Sequence, residues 1–183
     1  MPEIEEYIYE LKIPKERVAV LIGVKGKVKK QLEEYGKCRI EIDSKEGDVK
    51  LFGKDSVKLY MMKDLVKAIG RGFNPEIAQL LLKQDYCLEI VSLQDYSGSK
   101  DAMLRLKGRV IGAKGKSRTI IEKLTETFIS VYGKTISIIG TTETVSIAKK
   151  AIETLLEGGQ HSQVFRSLEK ARHELKKREL AGM

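Results

Sequence analysis

The sequence contains no tryptophan, and aromatic residues make up only 6% of it. A platform that stacks successive bases on rings is therefore not expected. Its two cysteines, Cys38 and Cys87, lie far apart, and its two histidines, His161 and His173, both fall near the C-terminal end. Such a set suggests neither a disulfide framework nor a zinc site, and no cofactor is expected. No Ser/His/Asp or Cys/His grouping gathers near a glycine-rich stretch, which argues against an enzyme. No apolar run approaches the ~20 residues needed to cross a bilayer, and the N-terminus lacks the basic-then-apolar layout of a signal peptide. The expectation is a cytoplasmic protein with no membrane partner.

What the chain has in quantity is charge. Lys and Arg number 34 against 26 Asp and Glu, for a net charge of +8 and a pI near 9.3. Charged residues at 33% beside hydrophobic residues at 42% describe a folded core in a charged surface. A length of 183 residues suits one medium domain or two small ones. The balance favours an anionic partner such as nucleic acid.

The positive charge is not spread evenly. Lys25, Lys27, Lys29 and Lys30 crowd one stretch; Lys107, Arg109, Lys114, Lys116 and Arg118 crowd another. Each surrounds a copy of one motif, Ile22-Gly23-Val24-Lys25-Gly26-Lys27 and Ile111-Gly112-Ala113-Lys114-Gly115-Lys116. In both, the motif follows a short apolar helical stretch and opens a second helix. Paired glycines let a ligand approach the backbone, the new helix offers amides and the positive end of its dipole, and the lysines complete a phosphate site. The second copy runs on to Ser117 and so ends in Gly-Lys-Ser, as an NTPase phosphate loop does. That motif needs a glycine where Val110 stands and a strand where 102–106 reads as helix, so the NTPase reading is rejected.

The elements around the motifs repeat. An alternating strand at 7–13 precedes a short helix after Pro14, the glycine loop, and a helix from Lys27 toward Tyr35 with Gly36 as its stop. Strands at 39–42 and 48–52 follow, then a helix capped by Asp55. Gly70-Arg71-Gly72-Phe73 breaks the pattern, and Asn74-Pro75-Glu76 starts a short helix to about Lys83. The second half repeats the order: strand 86–93, helix from Ser99, glycine loop, helix, strands 128–132 and 135–139, and a helix capped by Thr141 or Thr142. The order β-α-loop-α-β-β-α twice over is internal duplication. A tail from Ser162 to Leu180 reads as a basic helix with an apolar stripe of Val164, Leu168, Ala171 and Leu175, which packs on the second unit or docks RNA or protein.

That order, with Ile-Gly-x-x-Gly at the loop, resembles the KH domain in the arrangement that ends in a helix. The resemblance implies an α+β fold: two tandem type I KH domains, each with a three-stranded antiparallel sheet and three helices, plus a C-terminal helix. The expected boundaries are 1–70 for the first domain, 71–84 for a connecting segment with a short helix, 85–158 for the second domain and 159–183 for the basic helix. It also implies that Gly23 to Gly26 and Gly112 to Gly115 clamp the backbone of single-stranded RNA. Ile22, Ile40 and Ile42, and in the other copy Ile111, Ile129 and Val131, would form the groove floor, with Arg39 and Ser130 placed to read base edges. One departure stands in both copies: where many KH domains carry an apolar residue three after the second glycine, this chain has Lys29 and Arg118.

Ala68-Ile69-Gly70-Arg71-Gly72-Phe73, Ile129-Ser130-Val131-Tyr132-Gly133-Lys134 and Leu156-Glu157-Gly158 are similar to the archaeal branch of the partner-of-Nob-one and KRR-repeat family of ribosome-assembly proteins. That resemblance implies binding to the 3′ region of small-subunit ribosomal RNA, beside an rRNA-trimming endonuclease or a translation factor. The alternative is a protein-docking scaffold built from one KH copy and the tail helix.

Overall fold

The structure is a computed structural model that describes residues 6–182, and the chain divides after Gln84 into two units. The first contains β1 (Tyr7–Lys12), α1 (Lys15–Ile22), α2 (Lys27–Gly36), β2 (Arg39–Ile42), β3 (Asp48–Gly53), α3 (Ser56–Gly70) and α4 (Pro75–Ala78). The second contains β4 (Tyr86–Ser92), α5 (Lys100–Ile111), α6 (Lys116–Thr125), β5 (Phe128–Tyr132), β6 (Thr135–Thr141), α7 (Thr142–Leu156) and α8 (His161–Ala181). Each unit holds one antiparallel three-stranded sheet with its last strand central, in the orders β1-β3-β2 and β4-β6-β5.

Alternation and capping produce these elements. In β3, Val49 and Leu51 are buried while Asp48 and Lys50 face water, so one face meets the helices. Asp55 accepts hydrogen bonds from the amides of Val57 and Lys58, Ser99 from that of Ala102, and Thr141 from that of Thr144, which starts α3, α5 and α7. The helices bring Leu21, Leu32, Leu59, Leu65 and Ile69 onto Ile40 and Leu51 in one unit. Ile121, Ile152 and Leu155 meet Ile136 and Ile138 in the other. Each fully buried side chain of this size is worth about 1.5–3 kcal/mol of transfer free energy.

Several local expectations change. Gly36 is not the stop of α2 but its buried last residue: a Cβ there would lie 2.5 Å from Met62 Cγ. The left-handed stop is Lys37 at φ 46°, and its counterpart after α6 is Glu126 at φ 54°. The helix from Pro75 lasts one turn and tightens into a 3-10 turn over Gln79–Leu82. The side chain of Asn74 makes no capping bond. This segment, read from sequence as a connector, buries Ala78 and Leu81, packs on α3, and belongs with the first unit. Of the two readings of the tail, packing is the one seen: α8 inserts Val164 and Leu168 into the second unit's core.

Candidate nucleic-acid interface

Both glycine motifs form the same tight turn. Gly23 and Gly112 take φ/ψ of 73°/173° and 72°/175°, Lys25 and Lys114 take 52°/30° and 53°/29°, and Gly26 and Gly115 take 73°/15° and 75°/9°. The turn closes with Gly26 N–H donating to the Gly23 carbonyl at 3.1 Å, and Gly115 N–H to that of Gly112 at 3.2 Å. Lys27 and Lys116 donate back to Val24 and Ala113. Among the described residues the amides of Val24, Lys25, Ala113 and Lys114 donate no turn or cap hydrogen bond, so they are available to a ligand. No side chain caps the start of α2 or α6, so the positive end of each helix dipole opens on the turn.

The two glycines of a turn differ in what they need. A Cβ on Gly112 would stand 2.6 Å from Ser117 Cβ and 2.8 Å from its amide nitrogen, and on Gly23 it would stand 2.4 Å from Val28 Cγ2. Around Gly26 and Gly115 there is open space, and only the positive φ selects glycine. The tip residues project outward: Val24 is 83% exposed, and Lys25, Ala113 and Lys114 are exposed as well.

The remaining residues expected at the interface separate by where the structure places them. Lys27, Lys30 and Lys116 are exposed beside the turns and Lys107 is half-buried on α5. Within the described residues no carboxylate pairs with these four or with Lys25 and Lys114. Ile22 and Ile111 are half-buried next to the turns, and Ile42 and Val131 are half-buried on the inner sheet face. Ile40 and Ile129, expected as groove floor, are instead core residues at 0% and 5% exposure, because they sit under the helices. Arg39 and Ser130 alternate with them and therefore face the opposite side of the sheets. There the Arg39 guanidinium lies 4.4 Å from the centre of the Phe52 ring and 3.4 Å from Glu41, away from the helix side of the sheet.

Arg109 also leaves the interface. Its Nε donates to the Leu155 carbonyl at 2.8 Å and its Nη2 to that of Gly159 at 2.6 Å, so it ties α5 to the end of α7. In the first unit Arg17 does the same for α3, donating to Ile69 at 2.8 Å and Phe73 at 2.7 Å. The two arginines stand about one helical turn apart relative to their glycine motifs, so comparing the copies position by position does not pair them. A cation at these carbonyls also complements the negative end of the helix dipole.

Lys29 and Arg118 are explained by two residues that sequence reasoning missed. Glu33 Oε1 accepts the Ile40 amide at 2.8 Å, and Glu122 Oε1 accepts that of Ile129 at 2.8 Å. Lys29 lies 3.9 Å from Glu33, and Arg118 lies 3.9 Å from Glu122. Each carboxylate thus joins the loop helix to the edge strand, and each cation balances it. The repetition of Lys/Arg-x-x-x-Glu at equivalent places was the signal available in the sequence. A third addition comes from α8, which brings His161 and Phe165 beside Gly112, Ala113 and Lys116. His161 Nε2 donates to the Arg109 carbonyl at 2.7 Å, which anchors the start of α8 there.

Two β-α-α-β-β-α units, each with a left-handed glycine turn and lysines at an uncapped helix start, define a protein with two type I KH domains. Comparison with known families agrees: residues 8–68 match the KH domain, and residues 87–173 match a family described as eukaryotic type KH-domain (KH-domain type I). The chain is 48% identical over 171 residues to a KH domain-containing protein of Methanocaldococcus jannaschii, covering 91% of this chain and 75% of that one. It is 30% identical over 170 residues to the RNA-binding protein pno1 of Dictyostelium discoideum, covering 90% and 71%. A chain in the crystal structure of the a/eIF2alpha–aDim2p–rRNA complex from Pyrococcus horikoshii superposes with a TM-score of 0.87 at 43% identity, covering 92% of this chain and 96% of that one. The chain belongs to the Pno1 family of two-KH-domain proteins. None of its described helices is long and apolar enough to cross a membrane.

Proposed function

We propose that the chain is a cytoplasmic, non-enzymatic RNA-binding protein of small-subunit ribosome assembly. It grips single-stranded ribosomal RNA in the 3′ region at its glycine turns. The observation that carries the reading is the pair of turns, alike in torsion angles, whose lysines Lys25 and Lys27, and Lys114 and Lys116, have no carboxylate partner among the described residues. A phosphate laid across a turn would receive the amides of Ala113 and Lys114 and the ammonium groups of Lys114 and Lys116. The first turn would use Val24, Lys25 and Lys27 in the same way. Ile22 and Ile111 supply apolar contact for a base next to the phosphate. Names of relatives support this reading: one is an RNA-binding protein, another was crystallised with rRNA and a translation-factor subunit. An rRNA-trimming endonuclease or such a factor would then be the protein neighbour on the same RNA.

The test is titration of a labelled single strand with the full chain and with Ala113→Asp combined with Lys114→Asp. Both side chains are exposed, and aspartate tolerates the left-handed conformation of Lys114, so the fold is kept. Two carboxylates at about 5 Å from a phosphate cost ~1–3 kcal/mol each at effective dielectric constants between 80 and 20. Affinity should fall by at least ~30-fold, with the circular dichroism spectrum unchanged. The matching pair Val24→Asp and Lys25→Asp measures the first turn. Wild-type affinity in both variants would refute the assignment.

A further inference from the structure

The duplication reveals a vacancy on one copy. Helices α2 and α6 have 10 residues each and α3 and α7 have 15 each, so their positions correspond one to one. In the second unit α8 lies against both α6 and α7. It places Glu169, Arg172, His173 and Lys176 around a shallow depression with Leu124 of α6, and Ala171, Leu175 and Arg178 around another with Ser146 and Ile147 of α7. In the first unit the corresponding segment starts in register with α8, at Pro75, but is spent within two short turns before β4 begins. Among the described residues, no helix of the first unit takes the place of the later part of α8. The corresponding positions are not polar: Tyr35 stands where Leu124 does, Tyr60 and Met61 where Ser146 and Ile147 do, and Val57 where Glu143 does. Tyr35, Val57 and Tyr60 are 57%, 69% and 51% exposed, three of the largest apolar exposures in that unit.

We infer that this face of the first KH domain, between α2 and α3, docks an acidic amphipathic helix supplied by a protein partner. The charge on the rim specifies the sign. In the second unit the basic α8 is held by Glu126, 4.0 Å from Arg172, and by Glu143, 3.1 Å from Arg178. At the two corresponding places the first unit has Lys37 and Val57. Helix α3 further carries Lys58, Lys63 and Lys67; Lys58 lies 4.0 Å from Asp55 and Lys63 lies 3.9 Å from Asp64, which leaves Lys67 as the lysine of that helix with no carboxylate partner among the described residues. A basic helix such as α8 of a second copy loses both of its carboxylate partners there, while an acidic one finds Lys37 and Lys67 beside an apolar strip.

The probes are two dye-labelled peptides. One is the 21-residue sequence of α8 with every Lys and Arg replaced by Glu; the other is the unaltered basic sequence. Fluorescence anisotropy with the full chain should show the acidic peptide binding at least tenfold more tightly than the basic one. Val57→Glu should weaken the acidic peptide at least tenfold, and Lys37→Glu should shrink its advantage over the basic peptide. Both sites are exposed, and circular dichroism checks that each variant folds. RNA affinity should stay at the wild-type value in both, which separates this surface from the glycine turns. The inference is overturned if neither peptide binds, if the acidic peptide binds Val57→Glu as well as wild type, or if the variants lose RNA and peptide to the same degree.

Discussion

Replacing Arg109 with alanine separates two roles that the sequence alone confounds, phosphate ligand and helix clip. The side chain makes two charge-assisted hydrogen bonds, 2.8 and 2.6 Å long, to the Leu155 and Gly159 carbonyls. Hydrogen bonds to a charged group are worth about 1.5–3 kcal/mol each, with part of that regained as water reaches the freed carbonyls. Losing the cation at the end of α7 costs a further ~0.3–1 kcal/mol. Destabilisation of the second domain should therefore fall at about 2–4 kcal/mol, or a midpoint lowered by at least ~8 °C for a unit of this size. Arg109→Lys keeps the charge but can reach one carbonyl well, so it should recover about half. Scanning calorimetry resolves the transition of the affected domain, and RNA titration below that transition reads the other role. The structural reasoning fails if Arg109→Ala leaves the transition in place and instead lowers RNA affinity and the slope of its salt dependence.

Other perturbations follow from the same geometry. Gly115→Ala should cost only about 1–2 kcal/mol, the penalty of a left-handed alanine, whereas Gly112→Ala should cost more because its methyl meets the Ser117 backbone; urea denaturation ranks the two. Glu122→Ala removes the acceptor for the Ile129 amide and should destabilise by about 1–2 kcal/mol while freeing Arg118 and tightening RNA, so a parallel loss of RNA affinity would contradict it. Burial, with Glu33 adding to it, pushes the Cys38 thiol up to about 11 from 9.0. The neutral thiol's contribution to stability is then full below pH 9 and fades as pH rises toward 11; alkylation by iodoacetamide at pH 8 should be slow until the protein unfolds.

Much of the fold was legible because duplication let each half check the other. Alternation located β1 and β2, and Asp55, Ser99 and the pair Thr141 and Thr142 announced their helices through an oxygen placed before an apolar periodic run. The turns were legible for a similar reason: glycine at both ends of a lysine-bearing loop is a local requirement, satisfied within a few residues. Arg109 was misread because proximity to the turn in sequence says nothing of which way a helical side chain points, and its acceptor at Leu155 lies 46 residues beyond it. Ile40 and Ile129 were misplaced because an apolar residue on a strand satisfies a groove floor and a core equally well. Glu33 and Glu122 were passed over since a carboxylate in a basic stretch looks like solvated charge until a backbone amide is found beside it.

By itself, then, the amino-acid order determined the two repeating units, their helices and strands, and the chemistry of the turns, since each depends on neighbours within about one turn of helix or one strand. Tertiary structure decided which cations tie helices together and which stand without a carboxylate partner among the described residues, and it alone disclosed that α8 lies on α6 and α7 where the described residues of the first unit have no matching helix. Those outcomes depend on packing between segments dozens of residues apart, where burial and hydrogen-bond geometry choose among side chains that composition makes equivalent.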